Sequence, residues 1–248
     1  MAPPDRWGLA DRRLYLCTAD RPDLADFVDT CIRGGVDVVQ LREKHLDDRA
    51  LVERAELVQR VCAHHGTPFI LNDRPDLAAA ILADGVHVGQ DDQSPAEARR
   101  LVGDTAMIGL STHAPEELDA AIGALASGAT APGPAVSTIQ YLSAGPVVPT
   151  PTKPGRPGTG LGYVRLAVER SPWPVWITGG VDPTTVVPMI EAGARHFVVV
   201  RWLTEADDPG SRARQLRRTI DRAIDGAVER GVERTVDPAD GPPTGGQR

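Results

Sequence analysis

Two apolar spacings alternate along the chain. Short aliphatic and β-branched runs recur at residues 14–18, 36–41, 69–71, 85–89, 107–111, 138–143, 174–178 and 196–201. Runs of that length and composition predict buried strands. Between them the spacing becomes helical. Leu24, Phe27, Val28 and Cys31 share one face of a helix over 22–32, as do Leu51, Ala55, Val58 and Cys62 of a helix opened by Asp47. Further helices are predicted over 75–82, after Ser94, from Pro115, over 161–169 and over 183–192. A last one carries Leu216, Ile220, Ala223, Ile224 and Ala227. Local chemistry marks the ends: Gly34-Gly35 stops the first helix, and Ser94, Pro95 and Glu97 fit N-cap, N1 and N3.

Eight strands, each followed by a helix, predict a parallel sheet. Eight such units in about 220 residues fit a closed (β/α)8 TIM barrel in a single α/β domain. An open doubly wound sheet would carry a Gly-x-Gly-x-x-Gly turn after its first strand. Here that strand runs into Cys17-Thr18-Ala19-Asp20 with no glycine. The barrel is expected over 13–229, behind a polar lead at 1–12. Residues 123–137 are rich in Ala, Gly, Pro and Ser without charge and predict a flexible insertion. Residues 230–248 predict a disordered tail.

Composition narrows the setting. The formal net charge is -7 with both signs intermixed, which argues against nucleic acid as a partner. Three cysteines with no CxxC pair read as reduced thiols. The first residues lack the apolar core of a signal peptide, and no apolar run reaches the ~20 residues of a membrane span. The expectation is a cytoplasmic protein without membrane contact, with homo-oligomer formation left open.

Barrel enzymes work at the carboxyl ends of their strands. Those ends supply Gln40, Arg42 and Lys44, then Asn72 and Asp73, then Asp92 and Ser111. The later ones supply Thr150, Thr152 and Lys153, Gly179-Gly180, and Val200-Arg201. Asp73 and Asp92 end adjacent strands and would together seat a hard divalent cation. Either one alone would as readily cap the helix that follows it. Arg42 and Lys44 combine a planar fork and a point charge suited to a diphosphate, against the alternative of pairing with Glu43 or Asp47. Gly179-Gly180 would let backbone approach an oxyanion, or simply make a tight turn. The set predicts a site for phosphorylated ligands and a metal. His87 reads as a packed histidine, Cys17 as structural, and His113 as peripheral to the site.

Six stretches in order resemble the thiamine phosphate synthase family. They are Val38 to Lys44, Leu71-Asn72-Asp73-Arg74, Asp84 to Asp92, Gly109 to His113, Gly145 to Lys153, and Thr178-Gly179-Gly180-Val181. The resemblance implies a transferase of thiamine biosynthesis that joins hydroxymethylpyrimidine diphosphate to a thiazole phosphate, releasing pyrophosphate. Carried over by position, Gln40, Leu41, Arg42, Glu43, Lys44 and Asn72 would hold the pyrimidine diphosphate. Asp73 and Asp92 would bind Mg2+. Ser111 and Lys153 would contact the pyrimidine, and Arg42, Lys44, Ser111 and Lys153 would carry the catalysis. Thr150, Pro151, Thr152, Gly179, Gly180, Val200 and Arg201 would hold the thiazole phosphate.

Such chemistry needs no nucleophilic side chain, since the aminopyrimidine stabilises its own methylene cation. It needs charge on the leaving group and a dry, orienting site. Three departures stand out: the long 123–137 stretch, Thr178 where the family has an aliphatic residue, and Arg201 where many members have serine. The rival readings are a thiazole tautomerase-like isomerase of the same fold and a non-catalytic phosphate-ligand-binding barrel.

Overall fold

The computed structural model describes residues 7–126, 138–150 and 157–229. Strands and helices alternate as β1 (Leu14–Thr18), α1 (Leu24–Arg33), β2 (Val38–Leu41), α2 (Asp48–His65), β3 (Phe69–Asn72) and α3 (Pro75–Ala80). Then come β4 (Gly85–Val88), α4 (Pro95–Val102), β5 (Met107–Thr112), α5 (Pro115–Ala126), β6 (Tyr141–Ala144) and α6 (Gly160–Arg170). The chain finishes with β7 (Val175–Ile177), α7 (Val186–Glu191), β8 (His196–Val199), α8 (Arg201–Thr204) and α9 (Pro209–Glu229). All neighbouring strands pair in parallel, and β8 returns to β1 in the register Leu14–Phe197, Tyr15–Val198, Leu16–Val199. The sheet is therefore the expected closed barrel.

Local signals place the helix starts. Asp47 accepts from the Ala50 amide at 2.9 Å, and Gly66 closes α2 in the left-handed region. Ser94 and Glu97 form a reciprocal capping box on α4. Three boundaries differ from the periodic pattern. Strand β2 opens only at Val38, because the Val36 amide still donates to the Cys31 carbonyl at the end of α1. Strand β6 opens at Tyr141, since the Gln140 side chain already accepts from the Ile108 amide and from Arg99. Arg201 leaves the last strand and opens α8. The Val200 carbonyl accepts from the Leu203 and Thr204 amides at 3.0 Å each, which bends the chain into a helical turn. Helix α5 runs on to Ala126, so residues 123–126 form its end. The rest of the 123–137 stretch and the 230–248 tail lie outside the described residues.

Strand alternation divides the core in two. Leu14, Leu16, Val39, Leu41, Leu71, Ile108 and Phe197 face outward and pack under the helices. Tyr15, Val38, Ile70, Met107, Tyr141, Trp176 and Val198 face inward and fill the barrel. The inner layer fits large groups against glycines. A Cβ at Gly85 would sit 2.7 Å from the Met107 carbonyl oxygen, and one at Gly109 would fall inside the Tyr141 ring. Trp176 and Tyr141 are fully buried, so truncating either to alanine removes packing worth about 3–5 kcal/mol. Among the described residues no helix is long and apolar enough to cross a membrane.

The seam between first and last units is tied at the amino end of the barrel. The Asp37 carboxylate accepts from the Arg13 and Leu14 amides at 2.7 and 3.0 Å and pairs with Arg217 of α9 at 2.8 Å. Beside it, His196 Nδ1 donates to the Arg12 carbonyl at 2.6 Å, and burial lowers the imidazole pKa to about 4. The unfolded imidazole titrates near 6.5. As pH falls from 6.5 towards 4 the unfolded chain therefore takes a proton that the folded chain refuses, and stability declines across that window. We expect a His196→Gln variant to lose about 1–3 kcal/mol less than the parent between roughly pH 7 and pH 4.5. Urea unfolding at both pH values checks this, and parallel pH profiles for the two proteins would refute it.

Candidate active site

A cavity of ≈ 380 Å³ opens at the carboxyl ends of the strands. Of the residues expected there, Gln40, Arg42, Asn72, Ser111, Thr150, Gly179, Gly180, Val200 and Arg201 all line it. Alternation explains which part of β2 takes part. Gln40 turns inward and lines the cavity, whereas Leu41 is fully buried in the outer layer and does not line it. Glu43 is engaged elsewhere. Its carboxylate accepts from the Asp20, Lys44 and His45 amides at 3.2, 2.7 and 2.8 Å and organises the loop after β2.

Asp73, Asp92 and Lys44 gather beside the cavity. Asp73 follows β3 with φ 60°, a left-handed conformation that aspartate tolerates better than most residues. Its amide donates to the His87 carbonyl at 2.8 Å, which anchors it to the neighbouring strand. The next residue, Arg74, is clamped by Asp48 and Asp76, so the turn is held on both sides. The Asp73 carboxylate pairs with Lys44 at 3.0 Å. Across from it, Asp92 accepts from the Gly89 amide at 2.8 Å. Burial, then the neighbouring Asp73 carboxyl, push the Asp92 pKa up, against the Gly89 amide and Lys44.

A carboxyl whose neighbouring carboxyl helps push its pKa up sits where a cation is favoured. Among the described residues no group of three or more His, Cys, Asp or Glu is placed to hold a metal ion. Two carboxylates make no closed protein cage, and a hard divalent cation held by them would need further oxygen ligands.

The opposite wall is built by the loops after β6 and β7. The Val147 amide donates to the Thr178 carbonyl at 2.8 Å, and the Gly160 amide to the Val147 carbonyl at 3.0 Å. Gly179 and Gly180 have φ 95° and 74°. A Cβ on Gly179 would strike Pro146, and one on Gly180 would strike the Val148 side chain. The glycines thus serve first to let the β6 loop lie on the β7 turn, a steric role that the sequence reading assigned to ligand approach or a tight turn. Thr178 contributes its backbone to this staple and its side chain to the cavity wall; nothing in the structure explains the threonine hydroxyl. Pro151, Thr152 and Lys153 lie outside the described residues.

Several lining groups were not singled out by sequence. Tyr15, Tyr141 and Ser143 reach the cavity floor from inward positions of β1 and β6, and Cys17 and His87 do the same. His87 is packed as expected, but its two ring nitrogens lie 3.2 Å from the Tyr141 hydroxyl and 2.9 Å from Ser111 Oγ. Period-two alternation from the strand ends inward was the signal that would have found these residues. Arg212 of α9 also lines the cavity, its guanidinium 4.2 Å from the Trp202 ring centroid. No strand pattern points to that residue, because it comes from a helix.

A family model described as thiamine monophosphate synthase matches residues 14–203. A thiamine-phosphate synthase of Thermus thermophilus is 45% identical over 216 residues, covering 84% of this chain and 97% of that protein. The corresponding protein of an Arthrobacter species is 42% identical over 237 residues, covering 86% and 96%. Among solved structures, a thiamine phosphate pyrophosphorylase from Pyrococcus furiosus superposes with a TM-score of 0.72 at 25% identity, covering 86% of this chain and 96% of that one. Sequence motifs, closed barrel and alignment span the same residues, and the chain belongs to the thiamine monophosphate synthase family.

Proposed function

We propose that this chain is a thiamine-phosphate synthase, a transferase that joins hydroxymethylpyrimidine diphosphate to a thiazole phosphate. The carbon–oxygen bond between the pyrimidine methylene and the diphosphate breaks, and its electron pair leaves with pyrophosphate. The thiazole ring nitrogen then supplies the pair for the new carbon–nitrogen bond. A carboxylated thiazole would also lose carbon dioxide. One observation carries the reading: a single cavity takes Gln40, Arg42, Asn72 and Ser111 from one side and Thr150, Gly180 and Arg201 from the other.

The roles follow from chemistry and position. Arg42 and Lys44 would neutralise the diphosphate, with Lys153 adding charge from the β6 loop. Asn72 and Gln40 would orient the pyrimidine, and Ser111 would hydrogen-bond it. Asp73 and Asp92 would hold Mg2+, with diphosphate oxygens completing its shell. When bound, that ion would supply Lewis-acid neutralisation of the departing pyrophosphate. Thr150, Thr152, the Gly180 backbone and the backbone at Val200-Arg201 would hold the thiazole phosphate, to which the Arg201 side chain adds charge. Binding both partners in one cavity makes the second step effectively unimolecular. Cys17, Cys31 and Cys62 are buried and form no disulfide, which fits a reducing compartment such as the cytoplasm.

Asp73→Asn and Asp92→Asn should each lower turnover at least about 100-fold while shifting stability by less than about 1 kcal/mol, because neither side chain is core. Steady-state rates across a Mg2+ titration, with thermal melts on the same samples, check this. Undiminished Mg2+-dependent turnover in either folded variant would remove the metal assignment.

The two substrates should separate by wall. Arg42→Ala removes charge that matters most as pyrophosphate departs, so kcat should fall with affinity for the pyrimidine diphosphate. Gly180→Val should displace Val148 and the loop behind it, raising KM for the thiazole phosphate about 10-fold with a smaller effect on the other KM. A two-substrate kinetic series at saturating Mg2+ measures both. If Gly180→Val raised the pyrimidine KM alone, the assignment of the two walls would be reversed.

A further inference from the structure

Five polar groups form an unbroken line through the cavity floor. Gln40 Nε2 lies 3.1 Å from the Tyr15 hydroxyl, which lies 3.1 Å from the Tyr141 hydroxyl. Tyr141 in turn lies 3.2 Å from His87 Nδ1, and His87 Nε2 lies 2.9 Å from Ser111 Oγ. All five residues are at most 8% exposed, and all five line the cavity. They come from β2, β1, β6, β4 and β5, so the line crosses the barrel. Glycine at 109 makes it possible, since a Cβ there would occupy the space of the Tyr141 ring.

The line has one polarity. An amide nitrogen only donates, so the Tyr15 oxygen accepts from Gln40. Burial raises the pKa of both tyrosines, so each keeps a hydrogen to place. Tyr15 therefore donates to Tyr141, and Tyr141 donates to His87 Nδ1. A neutral imidazole that accepts at Nδ1 carries its hydrogen on Nε2, and that hydrogen goes to Ser111 Oγ. Run the other way, the line would leave the Tyr15 hydrogen without an acceptor among these five groups. The Ser111 hydroxyl hydrogen is then directed into the cavity.

We propose that Tyr15, Tyr141 and His87 are positioning residues that make Ser111 a one-way hydrogen-bond donor. Position 111 then recognises only an acceptor on the substrate, a ring nitrogen or a diphosphate oxygen. The identity of that substrate rests on the proposed function; the polarity of the line does not.

Two measurements test it. A long-range 1H–15N spectrum of the substrate-free protein, with His87 signals assigned by their loss in His87→Gln, should show the Nε2–H tautomer. Tyr141→Phe should give a mixture of tautomers. In kinetics, Tyr141→Phe should lower kcat/KM for the pyrimidine diphosphate about 10-fold, but less than about 2-fold in a Ser111→Ala background. A His87 Nδ1–H tautomer in the parent protein, or full additivity of the two substitutions in folded variants, would overturn the proposal. The spectrum needs no substrate and no substituted tyrosine to decide the polarity. Failure of the parent protein to turn over these substrates would count against the proposed function and leave the spectrum standing.

Discussion

Parallel strands leave unpaired amide and carbonyl groups along both edges of a sheet unless the last strand returns to the first. Here Phe197 to Val199 pair with Leu14 to Leu16, and no edge remains. Closure brings together segments that are far apart in sequence, and the seam is reinforced where Asp37 takes both backbone amides of Arg13 and Leu14 and the Arg217 guanidinium of the last helix. Everything functional depends on this ring. Only when the strands close do their carboxyl ends surround one cavity rather than lie along a line.

Closure also creates an interior with a fixed, small volume. The inner layer meets that limit by matching sizes: Tyr141 against Gly109, and Ile70 and Met107 against Gly85. The lower interior is aromatic and aliphatic, with Trp176 edge-on to Tyr15 at a centroid distance of 5.2 Å. Towards the carboxyl ends the same inward positions become polar, through Gln40, His87, Ser111 and Ser143. One set of alternating positions thus serves as core at one end and as ligand surface at the other.

The two walls of the cavity are built differently. The β2–β4 side is electrostatic, with Arg42 in the lining and the Lys44–Asp73 pair and Asp92 beside it on short strand-end turns. The β6–β8 side is steric and backbone-based, with the β6 loop laid on two glycines and α8 folding over the end of β8. Arg201 and Arg212 add positive charge there without any strand alternation behind them. The proposed reaction suits such a division, because on that reading the charge that grows as the diphosphate departs would lie on the first side.

Much of this was determined by the sequence alone. Strand and helix identity follows from signals within a few residues, such as the Asp47 cap, the Ser94–Glu97 box and Pro75 opening α3, and eight βα units admit few closed topologies. The charged and glycine-bearing strand ends were legible for the same reason, since a strand end is a local event. Tertiary structure alone decided the rest. Gly109 is only one position of a strand run until Tyr141 crosses the barrel, and His87 reads as a packed histidine until Tyr141 and Ser111 meet its two nitrogens. Gly179 and Gly180 read as a phosphate loop or turn until Pro146 and Val148 are laid upon them. Those contacts join residues far apart in the chain, up to 54 positions between His87 and Tyr141. They depend on the combined register of all eight strands, which no local pattern of caps, prolines or alternation contains.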